Sequence, residues 1–163
     1  MRGADAARRA GRTLAICGFA AGLIGAAPRR ALEDQVPDLK AARIGARERL
    51  GRPECQAVLT DFESVNGGRL DLVLLSTGRT AQEQLDRMVL ESGLGRPGCA
   101  GPVLASTQIG SSVAHICLRS FALLRPAEQE AVLIHEMLHS LGLGENPPAS
   151  VAITAQVLSR CGH

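Results

Sequence analysis

Residues 125–148, RPAEQEAVLIHEMLHSLGLGENPP, restrict this chain more than any other stretch. Pro126 suits a first helical turn, where its missing N–H is not needed, and Glu128 and Glu130 complement the positive end of a helix. Ile134, Leu138 and Leu141 supply an apolar stripe at helical spacing. Gly142 is placed to end the helix in a left-handed conformation, and Asn146-Pro147-Pro148 forbids more helix. The stretch therefore predicts one helix with a fixed start and stop.

That helix carries two of the chain's four histidines, His135 and His139, and Glu136 between them. A helix turns about 100° and rises about 1.5 Å per residue, so the two imidazoles share a face, one turn apart. The spacing lets both reach one ion at the roughly 2.0–2.1 Å of a zinc–nitrogen bond. Glu136 is turned away from both ligands and reaches toward a water on the open side of such an ion, where a carboxylate can act as general base. A catalytic zinc takes three protein ligands and a water. Residues 146–163 contain no Asp and no Glu, which leaves Glu145, His163 or Cys161 as the third ligand. Glu145 is favoured, because Gly142 would turn the chain back toward the ion three residues earlier.

HEMLHSLGLGE resembles the metzincin signature H-E-x-x-H-x-x-G-x-x-H, with glutamate in place of the third histidine. It is also similar to a pattern in small bacterial exported zincin-like proteins. The resemblance covers about a dozen residues. It implies zinc ligands at His135, His139 and Glu145, a general base at Glu136 and a structural hinge at Gly142. It also implies the zincin plan, a sheet packed on an active-site helix. Two features depart from it. The methionines are Met1, Met88 and Met137, so none follows the site as a metzincin Met-turn requires. There is no Tyr, so an oxyanion would be stabilised by the ion or by backbone N–H groups.

Elsewhere the pattern is plainer. Leu39, Ala42, Ala46 and Leu50 recur at helical spacing before Gly51 and Pro53, and the proline-bracketed 28–37 reads as a linker. The apolar stretches 55–62 and 70–77 suit helix or strand equally. Asn66-Gly67-Gly68 is a turn, and Thr80 with Glu83 reads as a capping box. Strands are expected at 88–92, 103–108 and 112–118, separated by a glycine-rich loop at 93–102. Ser150 is expected to cap a last helix. The fold class expected is α+β: a small mixed or antiparallel sheet on the active-site helix, with a C-terminal helix. The segment at 112–118 is expected to line the cleft and pair with an extended peptide. His115 within it reads as a strand residue rather than a ligand.

Residues 1–27 have a basic start (Arg2, Arg8, Arg9, Arg12) and then an uncharged apolar run, 13–27. This is the layout of a signal peptide; an uncleaved N-terminal anchor is the alternative. Residues 28–54 read as linker and helix, and 55–163 as the metallopeptidase domain. The leader holds four Arg and one Asp, a net +3, so of the chain's +2 the remainder carries −1. No basic patch is left to bind nucleic acid, and no stable membrane association is expected once the leader is cleaved. Cys55, Cys99, Cys117 and Cys161 are an even set, and in an exported chain they predict two disulfides. The favoured pairing is Cys55–Cys99 with Cys117–Cys161, each stapling one half of the domain.

These readings converge on a small exported zinc peptidase, periplasmic or secreted, with Zn2+ as cofactor and a peptide or protein as substrate. The alternatives are a non-catalytic zinc-binding structural or interaction domain and a hydrolase of some other amide or ester.

Overall fold

The structure is a computed structural model that describes residues 31–162. The leader at 1–27 and His163, a ligand candidate, lie outside the described residues.

The element order is α1 (Leu32–Gln35), α2 (Pro37–Leu50), α3 (Pro53–Gln56) with a 3-10 turn at Ala57–Thr60, α4 (Leu70–Ser76), α5 (Ala81–Asp86), β1 (Val89–Ser92), β2 (Ala105–Thr107), β3 (Val113–Ile116), α6 (Leu118–Phe121), α7 (Pro126–Ser140) and α8 (Ser150–Cys161). This is an α+β fold with a small mixed sheet and a C-terminal helix, as expected.

Several segments depart from the sequence reading. The expected linker holds the helical turn α1, and Pro37 opens α2; Val36 before it is extended, as a residue preceding proline prefers. Residues 70–76 are helical because Leu70 and Leu74, one turn apart, face the core while Leu72 and Leu75 face solvent. Of the stretch 55–62, residues up to Thr60 are likewise helical, α3 running into the 3-10 turn. Ser150 is the first residue of α8, and Ala149 occupies the cap. The capping box at Thr80 and Glu83 is formed in both directions.

The sheet has the order β1-β3-β2, with β1 parallel and β2 antiparallel to β3. This overturns one expectation: the strand within 112–118 is central, with both edges already paired. It has no row of free N–H and C=O groups to offer a peptide. The open edge beside α7 belongs to β2. On one face of the sheet Leu90, Ala114 and Ile116 are buried. Ala105 and Thr107 share that face by register.

Helix α7 is the centre of the molecule. Its residues from Ala131 to His139 are all buried, and α2 packs along it through Leu39, Ala42, Ala46 and Leu50. Helix α8 lies on its other side, burying Ile153, Val157 and Cys161 at i, i+4 and i+8. Asp61 clamps α8 from outside, accepting hydrogen bonds from Gln156 (2.6 Å) and Arg160 (2.8 Å). The Arg160 guanidinium is the main reason the Asp61 carboxyl sits below the usual carboxylate range.

The disulfides are Cys55–Cys161 and Cys99–Cys117, not the pairing favoured from sequence. The expected staples assumed that sequence halves are spatial halves. Instead α8 returns to pack on α3, which brings the Cys55 and Cys161 Cα atoms within 4.4 Å. Cys99 and Cys117 meet across the β2–β3 end of the sheet, where Cys117 N–H donates to the Leu104 carbonyl. Both bridges fit an oxidising, extracellular environment. No helix among the described residues is long and apolar enough to cross a membrane.

Candidate metal centre

The end of α7 builds the site. Leu143 N–H reaches back to the Leu138 carbonyl and Gly142 N–H to the His139 carbonyl, the two bonds of a Schellman turn. Gly142 makes this possible with φ +100°, a conformation side chains resist. The turn has two results. It aims the Leu143 carbonyl at His139 Nδ1, 2.8 Å away, and it sends the chain back so that Glu145 faces both imidazoles. Two neighbours fix it in place: Val65 N–H donates to the Gly142 carbonyl and Gly110 N–H to the His139 carbonyl.

Three donor atoms converge. His135 Nε2 and His139 Nε2 are 2.9 Å apart, and Glu145 Oε1 is 3.5 Å from the first and 3.3 Å from the second. Ligands at about 2.0–2.1 Å in tetrahedral array lie about 3.3 Å from each other, so this triangle has the size that zinc-like coordination requires. The donor set His, His, carboxylate is chemically suited to such an ion. Both Nδ1 atoms are occupied elsewhere: His139 by the Leu143 carbonyl and His135 by Thr154 Oγ1 of α8 at 2.9 Å. Both Nε2 atoms are therefore turned to the common point. His135, His139 and Glu145 form a group that could hold a metal ion, with the histidines 5% exposed and Glu145 opening to solvent at 40% of its side chain.

Burial, helped by the neighbouring His139, pushes the His135 pKa down to about 4 against the opposing pull of Glu145. The ring is thus neutral at physiological pH, the form a metal ligand needs. Glu136 is 4% exposed, and burial raises its pKa, with the Glu145 charge adding to the effect. The Thr107 hydroxyl beside it and His139 pull the other way. Neither Glu136 Oε2 nor Thr107 Oγ1 makes a well-formed hydrogen bond, so a buried carboxylate oxygen is left ready to accept one.

The structure thus brings together His135, His139 and Glu145, with Glu136 alongside and Gly142 as the turn beneath. Cys161, the least favoured ligand candidate, is in a disulfide instead. His115 lies on the opposite face of the sheet from Thr107, 3.6 Å from the Glu91 carboxylate, and takes no part. Sequence reasoning missed Thr154, Thr107 and the Leu143 carbonyl. A hydroxyl next to the buried stripe of the last helix was a readable hint of Thr154; the others depend on tertiary contacts.

No protein-family model, curated protein or solved structure matches this chain.

Proposed function

We propose that the chain is a small exported zinc-dependent metallopeptidase. The observation that carries this reading is the convergence of the His135, His139 and Glu145 donors next to a buried, unpartnered Glu136 oxygen. Its resemblance to the extended zincin motif adds to it. A bound zinc ion would supply a water of lowered pKa and polarise the substrate carbonyl.

The chain's own residues do the rest. His135, His139 and Glu145 would hold the ion. Glu136 takes the proton of the attacking water and passes it to the departing amine; its raised pKa brings it nearer the value such proton traffic favours. The open edge of β2 binds substrate. Cys117 N–H bonds the Leu104 carbonyl, so by the alternation of an antiparallel ladder Ser106 also bonds toward β3. The N–H and C=O groups of Ala105 and Thr107 then point outward, where an extended peptide can add as a strand. Thr107 places that edge beside Glu136.

The test is metal analysis of the mature protein together with cleavage of a peptide library. The expected result is one zinc per chain, peptide cleavage, and a Glu136→Gln variant that keeps zinc and loses cleavage. Zinc without cleavage in the wild type would favour the non-catalytic, structural reading. Cleavage confined to other amides or esters would move the assignment to another class of hydrolase.

A further inference from the structure

The two imidazoles of the site are held by partners of different kinds. His139 Nδ1 faces a backbone carbonyl, Leu143 O, at 2.8 Å. A carbonyl only accepts, so the neutral His139 ring carries its proton on Nδ1 and its lone pair on Nε2. His135 Nδ1 faces the Thr154 hydroxyl at 2.9 Å, and a hydroxyl can accept or donate. The Nε2 atoms lie 2.9 Å apart with little water access. Two lone pairs cannot point at each other there without something positive between them.

We propose that Thr154 is the positioning residue of the metal site, and that its hydroxyl serves both tautomers of His135. The proposal rests on the metal reading above. With zinc on Nε2, His135 carries its proton on Nδ1 and donates it to Thr154. Without zinc, His135 carries the proton on Nε2 and donates it to the fixed Nε2 lone pair of His139, while Thr154 rotates and donates to Nδ1. One proton leaves Nε2 to solvent and one arrives at Nδ1, so the charge of the ring is unchanged. A carboxylate or carbonyl in place of Thr154 would accept only and would leave the zinc-free pair facing lone pair to lone pair. The threonine therefore lets the two histidines stay preorganised whether or not the ion is bound. Its place on α8, between the buried Ile153 and the Asp61 clamp on Gln156 and Arg160, holds that hydroxyl in position.

The test compares full-length wild type with Thr154→Val, which keeps the shape and removes the hydroxyl, and Thr154→Ser, which restores it. Zinc affinity is read by competition with a chromophoric chelator, and the fold by thermal unfolding of the chelator-treated proteins. Thr154→Val should bind zinc ten- to a hundredfold more weakly, the usual loss when an outer partner of a histidine ligand is removed. Thr154→Ser should recover most of the loss. Nitrogen-15 NMR of the imidazoles should show His135 changing from the Nε2–H to the Nδ1–H tautomer as zinc is added, with His139 on Nδ1–H throughout. Equal zinc affinity in Thr154→Val, failure of Thr154→Ser to rescue, or an unchanged His135 tautomer overturns the proposal while the metal reading stands. A wild type that binds no zinc overturns both.

Discussion

Cys55 and Cys161 are bonded across 106 positions, so the end of the last helix is tied to the short helix that follows α2. The bond closes everything from α3 to the end of α8 into one loop, and Arg49 and Arg52 reinforce the joint by donating to the Cys161 carbonyl. The chain-entropy view gives about 4–5 kcal/mol for a loop near a hundred residues. Replacing both cysteines by alanine should lower the unfolding free energy by about that much, measured by urea titration. Peptide mapping without reductant should return Cys55–Cys161 and Cys99–Cys117; either of the other two pairings would show that α8 does not return to α3.

Glu145 is the exposed member of the metal group and the least constrained by packing, so its contribution is measurable without unfolding the protein. Glu145→Ala leaves two imidazoles and should weaken zinc binding by more than the ten- to hundredfold typical of outer partners. Glu145→Gln keeps an oxygen donor but loses the charge, and should fall between alanine and wild type. A chelator competition that finds Glu145→Ala equal to wild type would place the third donor elsewhere.

The His135 ring sets a pH window. Its folded pKa is near 4 and its unfolded value near 6.5. Between the two the unfolded chain binds the extra proton, so stability rises with pH there. The contribution is fully present above about pH 6.5 and is lost as pH falls toward 4. Chelator-treated wild type should therefore lose melting temperature between pH 7 and pH 4.5. His135→Gln, which has nothing to protonate, should show a shallower fall. Parallel slopes in the two proteins would mean that the buried ring is not held neutral.

Most of the site was legible in the sequence because it is local. His135, Glu136, His139, Gly142 and Glu145 lie within eleven positions, and helix geometry plus one left-handed turn determines how they meet. The same locality made the helix from Pro126 to Ser140 readable from its start and stop signals. Disulfide pairing was not readable, because it depends on α8 folding back on α3, a contact between segments about a hundred residues apart. Nor was the central place of β3. Three short strands in a row suggest a meander, whereas β1 here pairs in parallel with β3 and leaves β2 outside. Thr107 and Thr154 escaped for the same reason: each meets α7 only after its own element has docked.

Gly142 holds the two halves of the site in register. Its φ of +100° costs an L side chain strain of about 1–3 kcal/mol, and a Cβ would also lie 3.2 Å from the Ser64 Cβ. Gly142→Ala should therefore lower stability by about that amount. It should also weaken zinc binding, because the Leu143 carbonyl and Glu145 both follow the turn. Thermal unfolding with and without zinc separates the two effects: the zinc-induced rise in melting temperature should shrink in the variant. A stability loss with an undiminished zinc shift would make Gly142 a helix stop and nothing more.

The free edge of β2 makes the last prediction. Ala105 and Thr107 turn their N–H groups away from β3, while Ser106 bonds toward it, so exchange should distinguish alternate residues of one short strand. Without ligand, the Ala105 and Thr107 amides should exchange faster than those of Ser106 and His115. A peptide hydroxamate, which grips zinc through its hydroxamate group and lies extended beyond it, should slow Ala105 and Thr107 and leave His115 unchanged. The Glu136→Gln variant should give the same protection, because pairing with the edge does not require the Glu136 carboxylate. Protection spread evenly over β2 and β3 would indicate general stiffening instead of strand addition, and no protection at Ala105 or Thr107 would place the substrate on another wall of the site.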